Sequence, residues 1–172
     1  YRVVDALATL AFDYPRRSAF FTGELEQFLI LAWESGKDPL ALKGSYAGAM
    51  GYGQFMPSSY RAYARAYEGE DAPDIWDDPA DAIASVAHYL KAHGWRSGEP
   101  VIADGVPNDP APDLFESGLK PTKTVAALAL EGLSAADPLE PSRKATPLRL
   151  EEEAGMRYWL GLHNFYVITR YN

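Results

Sequence analysis

Apolar residues recur at helical spacing through most of the first 97 residues, and this periodicity constrains the fold more than any other feature. Residues 1–12 and 17–35 each carry an apolar stripe on one face, and Gly36 supplies the stop after the second. Residues 58–67 have the pattern of a shorter helix. The first part of the chain is therefore predicted to be a helical core.

One further helix is marked by its ends. Asp78 and Pro79 occupy the N-cap and first helical positions, and Gly94 ends the apolar pattern. Beyond it the composition changes, because residues 97–147 are dense in Pro and Asp and hold one short helical pattern at 124–130. Three later runs have the residue types of strands: 147–151, 156–160 and 165–169.

This change of pattern predicts a mainly helical α+β fold. We expect a helical core over 1–97, an inserted small β-containing subdomain over 98–164, and a return into the core at 165–172. The chain opens inside an apolar periodic stretch without an initiator Met and ends directly after a strand-like run. We therefore expect a piece of a longer protein, truncated at both ends.

Composition excludes several classes of function. The 172 residues carry a net charge of −8, so no basic surface for nucleic acid is expected. The chain has no Cys, which excludes disulfides and thiolate metal sites. No apolar run has the length of a membrane span. The three His residues stand at spacings that do not indicate a metal site, and structural or surface roles are preferred for them.

The segment 44–59, GSYAGAMGYGQFMPSS, combines four glycines with aromatic and apolar residues and has no charged side chain. We call it the ribbon. Glycine lets a ligand approach the main chain closely, and uncharged hydrogen-bonding groups suit amides and hydroxyls. The ribbon is consistent with a contact for an N-acetylated sugar polymer, although the residues alone slightly favour a tightly packed structural loop.

An acidic stretch beginning at Glu68 suggests a weak calcium site, with Glu68, Glu70 and Asp81 as candidate ligands. The position two before Glu68 is Ala66, which offers no oxygen. A solvated acidic loop is therefore preferred, and no metal is assigned.

The run SYAGAMGYGQFMPSSYRAYA, followed by DDPADAIASVAHYLKAHGW, resembles the core of the lytic murein transglycosylase B family. The resemblance extends to VVDALATLAFDYPRR before it and YWLGLHNFYVITRYN after it, so it covers nearly the whole chain, most loosely at 97–147. It implies a lysozyme-like helical core that cleaves the MurNAc–GlcNAc β-1,4 bond of peptidoglycan without water. One glutamate would act as acid and then base while the muramic C6 hydroxyl attacks C1, giving a 1,6-anhydromuramoyl end.

The resemblance places that glutamate in an E-[ST]-x-[WFY]-G motif just upstream of Tyr1, so no catalytic residue is assigned in this chain. Glu24, Glu26 and Glu34 lie outside such a motif, and Glu24 and Glu34 are predicted on the solvated side of a helix. The resemblance carries over a set of substrate contacts: Ser45, Met50, Tyr52, Gln54, Arg16, Arg17, Tyr89, Tyr171 and Asn172.

Two alternatives stay open, a non-catalytic peptidoglycan-binding module and a hydrolytic muramidase. The resemblance implies glycan strands as the partner, with other cell-wall enzymes as further candidates. It requires no cofactor and leaves calcium as a weak candidate. It also implies a periplasmic location, with any lipid anchor to the outer membrane lying outside this chain.

Overall fold

Helices come first and a sheet follows in the computed structural model, which describes residues 1–69 and 72–171. The chain divides into two units, residues 1–89 and 90–172. This division falls before the predicted boundary after residue 97, and the predicted return of 165–172 into the core remains a prediction. No helix of the described residues has the length and apolar character that a membrane span needs.

The first unit consists of helices and connecting loops. Its helices, with α4 continuing past residue 89, are α1 (Val3–Asp13), α2 (Ser18–Glu34), α3 (Pro57–Tyr63) and α4 (Pro79–Ala92). A 3₁₀ turn, Pro15–Arg17, connects the first two. Asp78 caps α4 as predicted, because its Oδ1 accepts a hydrogen bond from the N–H of Ala80 at 2.8 Å.

Apolar side chains from helices and loops share the core of the first unit. Val3 and Leu7, one helical turn apart on α1, have no exposed surface, and neither does Phe28 of α2. Ile75 is equally buried, although it comes from a loop. Complete burial of such a side chain stabilises the fold by about 1.5–3 kcal/mol.

The second unit is built on an antiparallel five-stranded sheet. Its strands are β1 (Ile102–Pro107), β2 (Lys123–Thr124), β3 (Leu133–Ala135), β4 (Lys144–Glu152) and β5 (Gly155–Gly161). They lie in the order β2-β4-β5-β1-β3. The helices of this part are α5 (Val125–Leu130) and α6 (His163–Thr169).

Strands β4 and β5 form a hairpin whose register runs from Glu152 opposite Gly155 to Thr146 opposite Gly161. Gly155 has φ +118°, a conformation that glycine adopts without steric cost, and it opens the returning strand. The core of this unit is a cluster of buried apolar side chains: Leu114, Val125, Leu128, Leu133, Ala145, Leu160 and Leu162.

Two of the predicted strands, 147–151 and 156–160, are confirmed as parts of β4 and β5. The third is wrong, because residues 165–169 belong to helix α6. Their aromatic and β-branched composition favours a strand, but Asn164 and Val167 are both buried at helical spacing, and packing prevails over propensity. Strands β1, β2 and β3 were not predicted, since they are short and depend on pairing with distant parts of the chain.

Candidate functional site

The ribbon is an ordered loop held by its own backbone. Met50 and Phe55 exchange two backbone hydrogen bonds of 2.8 and 3.0 Å, which close a tight turn between them. At the start of the ribbon, the Gly44 N–H donates to the Tyr1 carbonyl at 2.9 Å. These bonds fix the main chain, so the exposed groups of the ribbon are held in place before any ligand arrives.

Gly51 allows the ribbon to pass close to another loop. Its φ is +62°, and a Cβ at this position would lie 2.4 Å from the carbonyl oxygen of Ile75. The next residue, Tyr52, donates its N–H to the same oxygen at 2.9 Å. A side chain at position 51 would therefore break the contact that anchors this turn.

Ser45 and Gln54 carry the neutral polar side chains of the ribbon that were predicted to contact sugar. The Ser45 Oγ accepts hydrogen bonds from Ala47 and Ala49 at 3.2 and 3.1 Å, and among the described residues it donates its proton to none. Gln54 is exposed and donates Nε2 to the Gly51 carbonyl at 2.9 Å, which leaves its Oε1 facing solvent. Together they offer a donor and an acceptor to a ligand.

Two tyrosine rings of the ribbon are exposed. Tyr46 and Tyr52 are 76% and 66% exposed. Tyr46 borders a depression of about 230 Å³ that Tyr1 and the side of α1 also line. Exposed rings beside uncharged hydrogen-bonding groups suit the faces and hydroxyls of a sugar.

The structure corrects two of the predicted contacts. Met50 is completely buried and Tyr89 is 5% exposed, so neither side chain has a surface with which to meet a ligand. The Tyr89 ring packs edge-on against Tyr63, with centroids 4.9 Å apart, and lies 6.1 Å from the Phe55 ring. Both residues support the ribbon from inside the first unit.

The remaining predicted contacts lie elsewhere in the chain. Arg16 and Arg17 are exposed on the turn between α1 and α2, and the Arg17 guanidinium stacks 4.4 Å above the Phe20 ring. Tyr171 is half-buried at the end of the second unit, where its N–H donates to the Ile168 carbonyl at 3.0 Å. Asn172 lies outside the described residues.

The acidic loop before α4 is organised by Asp81. This buried carboxylate accepts one hydrogen bond from the Tyr67 N–H at 2.7 Å and another from the Asp74 N–H at 2.8 Å. The two N–H groups hold the pKa of Asp81 below its ordinary value. Burial, with the Asp74 and Asp81 charges nearby, raises the pKa of Tyr60 to about 12.

The calcium candidates are not gathered into a cluster in the part of the chain that the structure describes. Glu68 is exposed, Asp81 serves two backbone donors, and Glu70 lies outside the described residues. Within 1–69 and 72–171, no group of three acidic or histidine side chains converges as a metal site would require.

Glu24 is a residue that sequence reasoning placed wrongly. It is 6% exposed rather than solvated, and its carboxylate accepts hydrogen bonds from the Ser58 N–H at 2.9 Å and from the Ser58 hydroxyl at 2.6 Å. It thereby caps the start of α3, where the ribbon ends. No local signal could have shown this, since the two residues lie 34 positions apart. Glu34 is exposed as predicted and pairs with Arg61 at 3.0 Å.

The first unit carries a neutral ribbon with two exposed tyrosine rings, and the second unit carries an antiparallel sheet. The chain belongs to the transglycosylase SLT domain family, which matches residues 1–172. The fold class predicted from the sequence, a mainly helical α+β chain of lysozyme-like type, is confirmed by the structural neighbours.

Three relatives illustrate the match. Membrane-bound lytic murein transglycosylase B of Escherichia coli (strain K12) is 53% identical over 171 residues, which cover 99% of this chain and 46% of that protein. Soluble lytic transglycosylase SltB1 of Pseudomonas aeruginosa has a TM-score of 0.87 at 52% identity, covering 100% of this chain and 57% of that one.

The third is SltB3 of Pseudomonas aeruginosa, solved in complex with NAG-anhNAM-pentapeptide. Its TM-score is 0.80 at 34% identity, and the match covers 100% of this chain and 46% of that one. This chain therefore spans about half the length of the relatives that it matches.

Proposed function

We propose that the chain is the glycan-binding core of a lytic murein transglycosylase. The observation that carries the proposal is the ribbon, which presents neutral hydrogen-bonding groups and exposed tyrosines in a member of the SLT family. The activity is cleavage of the MurNAc–GlcNAc β-1,4 bond of peptidoglycan, with formation of a 1,6-anhydromuramoyl end.

The polar and aromatic side chains of the ribbon have different parts in binding. Ser45 can donate its hydroxyl proton to an acetamido or hydroxyl oxygen, because both of its acceptor positions are already used within the ribbon. Gln54 can accept through Oε1, and the rings of Tyr46 and Tyr52 can cover sugar faces. A neutral site suits a neutral glycan chain, since no charge must lose its hydration for binding.

The acid and base of the reaction belong, in this proposal, to a glutamate outside residues 1–172. None of the glutamates present stands in an E-[ST]-x-[WFY]-G motif. One carboxyl group suffices, because the C6 hydroxyl of the muramic residue replaces water as nucleophile. The glutamate protonates the leaving oxygen and then removes the proton from that hydroxyl.

A second candidate stays open, a peptidoglycan-binding module that performs no chemistry. Sacculus digestion separates the candidates. Purified sacculi are incubated with the full-length protein that contains residues 1–172, and the soluble products are analysed by mass spectrometry. Release of 1,6-anhydro products supports the transglycosylase. Retention on sacculi without release supports the binding module, and products with only reducing-end muramic acid contradict both in favour of a muramidase.

Location and cofactors complete the proposal. A murein substrate implies action outside the cytoplasm, in the periplasm. The resemblance also suggests a lipid anchor and other cell-wall enzymes as partners, and we propose both. We propose that the reaction needs no cofactor. Calcium is a candidate ligand of the acidic loop alone, and a rise in melting temperature with calcium over magnesium would assign it.

A further inference from the structure

The second unit contains a cavity of about 540 Å³ that the proposed glycan site does not use. It lies between the loop after α4, the turn before β4 and helix α6. Its volume falls in the range of about 300–1,000 Å³ typical of pockets for small organic ligands.

The walls of this cavity are fixed by hydrogen bonds of the buried Asn164 and of His163. Asn164 of α6 has no exposed surface, and its Oδ1 accepts from the Arg96 N–H at 2.9 Å. Its Nδ2 donates to the carbonyls of Arg96 and Glu99 at 2.8 and 3.0 Å. His163 Nε2 lies 2.7 Å from the Gly94 carbonyl, so this nitrogen carries the proton. The loop that bears Arg96 is thereby held in one conformation.

Four cationic side chains line the cavity against two carboxylates, which leaves an excess of two positive charges in a chain of net charge −8. The cations are Arg96, Lys120, Arg143 and Lys144, and the carboxylates are Glu99 and Glu140.

Glu99 is shared between Arg96 at 3.6 Å and Arg143 at 4.0 Å. Glu140 accepts a hydrogen bond from Ser142. Among the described residues, no ion pair engages Lys120 or Lys144. Two ammonium groups are therefore available to a negatively charged ligand at the cavity wall.

We propose that this cavity binds a peptide that carries several carboxylates. The two available lysines can pair with carboxylates of the peptide. The hydroxyl of Tyr166 can donate to its C=O groups, and the Ser142 hydroxyl and the carboxylates of the wall can accept from its N–H groups. The source of the peptide follows from the proposed function, on which this part of the assignment rests: the stem peptides of peptidoglycan.

The experiment is a titration of the protein with two separate probes, followed by calorimetry and by NMR shifts. One probe is the free pentapeptide stem without sugar, and the other is a peptide-free NAG–NAM tetrasaccharide. The variant is the double substitution Lys120→Gln/Lys144→Gln, and the matched control is Lys91→Gln, an exposed lysine of α4 outside the cavity.

The pentapeptide is expected to bind with shifts at the cavity residues, and the double variant to lose about tenfold in affinity while Lys91→Gln loses none. Raising salt from about 50 mM to about 500 mM should weaken this binding, since the lysines are exposed. The tetrasaccharide should bind wild type and double variant equally.

Failure of the pentapeptide to bind while the tetrasaccharide binds overturns the peptide site and leaves the proposed function intact. Pentapeptide binding without tetrasaccharide binding supports the cavity and contradicts the glycan core. Complete competition by inorganic phosphate at the same concentration as the peptide also overturns the assignment, because the cavity would then be a general anion site.

Discussion

At the scale of single residues, the ribbon separates side chains that face solvent from those that hold it. Gln54 is exposed and has φ +52°, so its backbone is set by the turn, and its Oε1 can meet a ligand while its Nε2 binds the Gly51 carbonyl. Met50, four positions earlier, is completely buried. Neighbouring positions of one loop therefore have opposite roles.

Replacing Gln54 by Ala should weaken glycan binding about tenfold and change stability by about 1 kcal/mol or less, because its single side-chain hydrogen bond is exposed. Calorimetry with the tetrasaccharide and thermal melting measure the two effects. Gln54→Gly is the control for the positive φ, since it removes the amide without backbone strain. A collapse of the melting temperature in both variants would show that the amide is structural.

Gly51→Val should destabilise the chain by about 2–5 kcal/mol, because a branched side chain would meet the Ile75 carbonyl at a positive φ. Urea unfolding gives the change in free energy. Gly23 offers the matched control, since nothing lies within 4 Å of a Cβ built there and it sits inside α2. Gly23→Ala should stabilise by about 0.5–1 kcal/mol. Equal stabilities for wild type and Gly51→Val would contradict the close approach.

At the scale of elements, periodicity predicted the helices well and the small strands poorly. The stripe and stop signals of α2 and α4 are local, so 17–35 and the helix after Asp78 could be predicted from the chain alone. Strand β1 pairs with β5 and β3, which lie far along the chain, so its pairing had no local signal. Of the candidate site, the position and neutrality of the ribbon were predictable, but the burial of Met50, Tyr89 and Glu24 depends on tertiary packing.

Glu24→Ala should cost about 2–3 kcal/mol of stability, because it leaves the Ser58 N–H and hydroxyl without their buried acceptor. Glu26, exposed on the same helix, provides the control, and Glu26→Ala should stay within about 0.5 kcal/mol of wild type. Urea midpoints measure both. If the two variants unfold alike, Glu24 does not connect α2 to α3.

The acidic loop should make stability depend on pH. The folded-state pKa of Asp81 is lowered, so its contribution is fully present above the unfolded value of about 3.9 and is lost as pH falls through the lower folded value. Asp81→Asn should lower the melting temperature at pH 7 and flatten its decline in acid. Asp77→Asn, at an exposed carboxylate of the same loop, should leave the curve unchanged. If the melting temperature of Asp81→Asn declines in acid as steeply as that of wild type, Asp81 does not contribute to this pH dependence.

At the scale of the whole molecule, charge is distributed unevenly. The chain is acidic overall, the ribbon has no charged side chain, and the cavity of the second unit carries an excess of positive charge. Net charge alone excluded nucleic acid as a partner, but it could not show the cavity, whose lining comes from residues between 96 and 166. The net charge of the whole sequence therefore does not reveal the positive electrostatic field at this cavity.

The buried amide of Asn164 makes the wall of the cavity sensitive to a single chemical change. Deamidation would turn this one side chain into aspartate, keeping its shape but replacing the two donors with an oxygen that faces the carbonyls of Arg96 and Glu99. The new carboxylate would then repel the two carbonyl oxygens that the amide now binds. Because the amide has no exposed surface, water reaches it only when the loop opens. The closed loop therefore protects the side-chain amide of Asn164 from hydrolysis.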